Sequence, residues 1–134
     1  MFFLNPEETA AQLRSREDSI RDTRDRIRRS LKFVWRIRES LQESAKERLT
    51  LWVYNATASL GVTWIDSEML VTHYLPGATN LTSPALLVQP VPGSDTPYAV
   101  YAQNVNKIRT NFSIKVTSAN IAKYTRGETD GHAA

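Results

Sequence analysis

The stretch TWIDSEMLVTHYLPG, Thr63 to Gly77, sets two β-rich runs on either side of the turn residues Asp66-Ser67-Glu68. Val62 to Ile65 and Met69 to Leu75 are dominated by β-branched, aromatic and large aliphatic side chains, and an acidic, hydroxyl-bearing break between two such runs predicts a β-hairpin. The same stretch carries Asp66, Glu68 and His73, a set that also occurs where two carboxylates and a base do acid–base chemistry. Nothing else in the sequence supplies the partner that would orient His73 as a base. The expectation is therefore a hairpin with a half-buried structural histidine and no catalytic residue.

Working outward, Leu49, Leu51 and Val53 alternate with Thr50, Trp52 and Tyr54, which predicts a strand before the hairpin. Pro76-Gly77 ends the second run, Ala78 to Pro84 reads as a polar loop, and Ala85 to Val91 forms a fourth strand stopped by Pro92-Gly-Ser-Asp95. Thr96-Pro97 opens a helix with Tyr98, Tyr101, Val105 and Ile108 on one face, ending near Asn111. Phe112, Ile114 and Val116 alternate like a last strand at a sheet edge. The segment from Thr125 onward has no aliphatic residue larger than alanine. A domain over 1–117 followed by a disordered tail over 118–134 is expected.

Towards the N-terminus, Asn5 with Pro6, Glu7 and Glu8 is a helix start. No proline or glycine follows until beyond Lys46, and Leu13, Ile20, Ile27, Val34 and Leu41 recur at sevens, with Leu31 and Ile37 between them. Arg24 and Arg38 interrupt the second row that a coiled coil would need. A long helix packed on a sheet is expected, with Ser15 to Ser19 a candidate break. The fold class is α/β: a long N-terminal helix and a second helix on a mixed sheet of about five strands.

Composition excludes several chemistries. With no cysteine and only His73 and His132 as imidazoles, neither disulfides nor a zinc site is expected, and no Gly-rich phosphate loop occurs. No cofactor or metal is expected. No apolar run approaches the roughly 18 residues needed to span a bilayer, and a cytoplasmic location without membrane association is expected. The net charge of +3 comes from the first half: residues 1–50 hold 12 Lys/Arg and 9 Asp/Glu, against five of each afterwards. Arg28, Arg29, Lys32 and Arg36 fall at one-turn spacings and are weak candidates to grip phosphate. Tyr54 and Asn55, at a strand end, are candidates to line a pocket.

The order of elements, with the wording VTWIDSEMLVTHYLPG and LTSPALLV, resembles the phospholipase D-like fold. It is most similar to the degenerate phospholipase D-like effector-sensing regions of some bacterial helix-turn-helix regulators. The matching elements are a short opening strand Phe2-Phe3-Leu4 running into Leu4-Asn5-Pro6, the helix from Ile20 to Leu41, Tyr54-Asn55, and Ile65 to Val71. Catalytic members of that superfamily carry a histidine nucleophile, a lysine two residues on and a later aspartate. With Asp66 at the aspartate, Ser59 and Gly61 occupy the other two places, so the nucleophile is missing.

The resemblance implies a half-domain acting as a noncatalytic ligand-sensing or protein-interaction domain of a bacterial regulatory system. Its partners would be a second copy or a larger regulatory protein and a small phosphorylated ligand, with nucleic acid contacted only indirectly. It also implies an inherited pocket at Tyr54, Asn55, Ser59, His73 and Tyr74. Two alternatives are a residual phosphodiesterase using His73 and a nucleic-acid-binding protein acting through its basic helix.

Overall fold

The computed structural model describes residues 1–17, 23–57, 60–75 and 82–127. The chain is mixed α/β. Its elements in order are β1 (Phe2–Leu4), α1 (Thr9–Glu17), α2 (Thr23–Ser40), α3 (Glu43–Lys46), β2 (Trp52–Tyr54), β3 (Leu60–Ile65), β4 (Glu68–His73), β5 (Ala85–Val88), α4 (Pro97–Phe112), β6 (Ser113–Lys115) and α5 (Ile121–Thr125).

Among the described residues, the single long N-terminal helix is replaced by three. Asn5 does start the helical region, but as a turn: its Oδ1 accepts the Glu7 N–H at 3.0 Å, and α1 begins only at Thr9. The chain then folds back on itself. Arg24 Nε donates to the Pro6 carbonyl at 2.6 Å, which brings the first turns of α2 against the approach to α1. Of the expected break at Ser15 to Ser19, residues 15–17 belong to α1, while residues 18 and 19 lie outside the described residues, as does Ile20.

The line of sevens also takes a different place from the one its regularity implies. A spacing of seven drifts by about 20° per repeat on a straight α-helix. Ile27, Val34 and Leu41 accordingly run along the flank of the buried face, each half-buried. Leu31 sits at its centre with 0% exposure, while Ile37 is exposed.

The expected sheet of about five strands is instead, among the described residues, two sheets of three. In the first, β2 is central, parallel to β1 and antiparallel to β6, with Phe3, Val53 and Ile114 in register. In the second, β4 is central between β3 and β5, all antiparallel. The strand after α4 takes the free side of β2 that a continuous sheet would have offered to the hairpin. Asn55 N–H then donates to the Phe112 carbonyl at 2.8 Å, extending that pairing at the end of β2.

Each sheet has its own core. Leu31, Leu51, Val53, Val116 and Tyr124 form the first, covered by α2 and α5; Met69, Val71 and Val88 form the second, under Tyr98, Tyr101 and Ala102 of α4. The tail expected from 118 is corrected by this packing: α5 is helical and Tyr124 is 2% exposed. Residues 128–134 lie outside the described residues. The uncovered face of the second sheet exposes Ile65, Leu70 and Leu87.

Two local expectations hold closely. Thr96 caps α4, its hydroxyl accepting the Ala99 N–H at 3.3 Å, with Pro97 at the first helical position. The hairpin turns on Asp66 and Ser67, between the paired residues Ile65 and Glu68, and Asp66 takes a φ of 52°. Aspartate tolerates this left-handed backbone better than most residues, and a β-branched side chain tolerates it poorly. Asp66→Val is therefore expected to lower stability by about 1–2 kcal/mol while Asp66→Gly does not, as urea denaturation will read.

Candidate functional site

A cleft of about 680 Å³ lies where the two sheets and α4 meet. Met1, Phe2 and Tyr54 wall it from the first sheet, β3 with Thr72 and Tyr74 from the second, and Asn104, Val105 and Ile108 of α4 complete it. Among the described residues the lining contains no Lys, Arg, Asp, Glu or His side chain. What it offers is rings, aliphatic side chains, the hydroxyls of Tyr54, Thr63, Thr72 and Tyr74, and one amide.

Main-chain groups add to that set. In a hairpin with a two-residue loop the flanking pair, here Ile65 and Glu68, is the hydrogen-bonded kind, and the kinds then alternate along the strands. Leu60, Val62 and Trp64 therefore aim their N–H and C=O away from β4, on the side where β3 has no neighbouring strand among the described residues. The His73 N–H agrees with this phase, donating to the Pro84 carbonyl at 3.2 Å and not to β3. On β1, the Met1 carbonyl accepts from Trp52 and Asn5 N–H donates to Tyr54, which leaves the main-chain groups of Phe2 and Leu4 on its free side. Strand edges normally carry a charge, a proline or a bulge to discourage pairing, and β3 has no charged residue or proline in its six residues.

Gly61 decides the shape of this cleft. A Cβ at position 61 would stand 2.6 Å from Tyr74 Oη, so only glycine lets the tyrosine lie flat across the strand. The atom in the way is the far end of a side chain that can swing. Gly61→Ala is thus expected to displace the Tyr74 ring at a stability cost below roughly 1 kcal/mol, readable as a changed Tyr74 ring-proton shift with an almost unchanged urea midpoint.

The sequence-based candidates divide. Tyr54 and Tyr74 come together in the cleft. Asn55 does not line it; its Oδ1 accepts from Nδ2 of the buried Asn5 at 2.8 Å, a bond that ties the end of β2 to the end of β1. His73 turns to the α4 side of its sheet, where Nε2 lies 3.3 Å from Tyr101 Oη and the rings meet edge-on. Ser59 lies outside the described residues.

Asp66 and Glu68 sit at the opposite end of the hairpin from His73, about 17 Å along the strand at some 3.4 Å per residue. Glu68 accepts a hydrogen bond from Gln89 Nε2 at 2.8 Å. The three do not converge on one reacting atom. Among the described residues no group of three His, Cys, Asp or Glu side chains is placed to hold a metal ion.

The Arg28, Arg29 and Lys32 group also separates. Arg28 is 6% exposed, its Nη2 donating to Glu7 Oε1 at 3.0 Å and its Nη1 to Asp25 Oδ1 at 2.9 Å, while Arg29 and Lys32 are exposed. Burial works against the Arg28 charge, but the hydrogen bonds and charges of Glu7 and Asp25 outweigh it and hold its pKa above the usual value. Its cationic capacity is already used within the protein.

Phe2, Trp64, Asn104, Val105 and Ile108 enter the cleft without having been marked as site residues by sequence. Trp64, exposed on an edge strand and meeting Tyr98 edge-on at 5.8 Å, is the one that an aromatic count on the hairpin could have flagged. No helix among the described residues is long and apolar enough to cross a membrane. Compared with protein-family models, curated proteins and solved structures, the chain matches none of them.

Proposed function

We propose that the chain is a noncatalytic binding domain that takes an uncharged, ring-bearing or extended ligand in the cleft between β1, β3 and α4. The observation that carries this reading is the lining itself: aromatic walls, hydroxyls and open strand edges, with no charged side chain among the described residues. A mainly apolar cavity with a few placed polar groups is the usual form of a ligand site, and its volume suits a small molecule or a short peptide. An isolated phosphate would lose much of its hydration there with no cationic side chain among the described lining residues to meet it, and the Met1 ammonium at the rim already donates to the Thr50 carbonyl at 2.7 Å, which favours an uncharged ligand over a phosphorylated one. The distance between His73 and the hairpin carboxylates supports binding over hydrolysis.

A phospholipase D-like ancestry, in a bacterial regulatory system, is the finer form of this proposal. It rests on the order of the elements and the hairpin wording, while Ser59 and Gly61, standing where the superfamily's nucleophile and lysine would be, depart from the catalytic motif and favour a noncatalytic role. The two separate sheets lend it no support.

The test is amide chemical-shift mapping of the full chain during a screen of uncharged aromatic compounds, short uncharged peptides and sugar phosphates. Shifts centred on Tyr54, Gly61, Trp64 and Tyr74 are expected, with binding weakened more than tenfold by Gly61→Val, whose side chain displaces Tyr74 and occupies the cleft. Saturable binding of sugar phosphates alone, or shifts confined to α2, would overturn the reading.

A further inference from the structure

The charges of α2 are sorted by side. On the side turned into the protein, Arg24 is bonded to the Pro6 carbonyl, Arg28 to Glu7 and Asp25, and Arg38 to the Leu49 carbonyl and Glu39. The opposite side carries Arg26, Arg29, Phe33 and Arg36, whose spacings of three, four and three place them on one line along the helix, with Lys32 one turn before Arg36. All five are exposed, Phe33 to 64%. None of these four cations has a carboxylate or other partner among the described residues. They span about 15 Å of helix at 1.5 Å per residue.

Charge complementarity asks for a polyanion. A lipid surface fits poorly: a helix lying in a membrane interface needs a broad apolar face, and Leu31, Val34 and Trp35 are already packed in the core, leaving Phe33 and Ile37 outside. A free phenyl ring set among guanidinium groups matches unpaired bases on a phosphate backbone, where arginines take the phosphates and the ring takes a base face. We propose that the outer face of α2 binds single-stranded nucleic acid, with Arg26, Arg29, Lys32 and Arg36 on phosphates and Phe33 stacked on a base. This surface is separate from the cleft and stands or falls independently of it.

The experiment is fluorescence anisotropy of a labelled deoxythymidine oligomer of about twelve nucleotides, titrated with the full chain over a series of KCl concentrations. Four phosphate contacts predict a slope of log K against log salt near −3, at about −0.7 per contact on a single strand. Arg29→Ala with Arg36→Ala is expected to bring the slope to about half that value. Phe33→Ala is expected to weaken binding about tenfold with the slope unchanged. Because all three positions are exposed, an unaltered melting temperature separates these effects from misfolding. The proposal is overturned by a slope near zero, by wild-type affinity in the double arginine variant, or by binding to phosphatidylserine vesicles in the absence of oligonucleotide binding.

Discussion

Tyr124→Ala is expected to destabilise the protein by about 3–5 kcal/mol, the range for removing a large buried aromatic side chain. α5 is only five residues long and has no independent reason to be helical. It is held because Tyr124 inserts among Leu31, Leu51, Val53 and Val116, with Ile121 beside it and the Lys123 ammonium 5.6 Å from the ring centre. Removing the ring opens a cavity shared by α2 and the central strand of the first sheet, and neither can close in without breaking its own pairing. Against a total stability of about 5–15 kcal/mol for a domain, the loss is a large share. Removal of residues 118–134 is expected to cost at least as much. Urea denaturation of both variants checks this, and an unchanged midpoint in the truncated chain would restore the view that the segment is a tail.

Glu7→Ala is expected to cost about 2–3 kcal/mol, and the cost arises from what it leaves behind. Arg28 is 6% exposed and its Nε has no acceptor among the described residues. Without Glu7 the guanidinium keeps only Asp25, which is half in solvent and on the same helix, so a buried charge is left incompletely paired. The partial exposure of Glu7 places the expected loss below that of a fully enclosed pair. Pairing Glu7→Ala with Arg28→Met should recover most of it, because methionine fills the volume and asks for no partner. The double-mutant cycle decides the matter: additive losses would show that the two side chains are not coupled.

How much of this was legible in the sequence depends on how local the information is. The cap of α4 at Thr96, its proline at the first position and its half-buried face of Tyr98, Tyr101, Val105 and Ile108 are set within a few residues of one another. The Asp66-Ser67 turn and the alternation around it are equally local. A helix or hairpin specified in this way needs no distant partner to be recognised.

The arrangement of the strands is not local. Phe3, Val53 and Ile114 share a register although long segments of chain separate them, and alternation along each strand says which face is buried without saying which neighbour it meets. The division into two sheets, and with it the cleft between their open edges, therefore came only from the tertiary structure. The same holds for charge and exposure. In sequence Arg28 is one more arginine in a basic helix and Tyr124 one residue in a polar end. In the fold, the return of α2 to the Pro6 carbonyl carries Arg28 to Glu7, and α5 lays Tyr124 on Leu31. Spacing on a single element determines which residues share a face; the path of the connecting chain decides what that face touches.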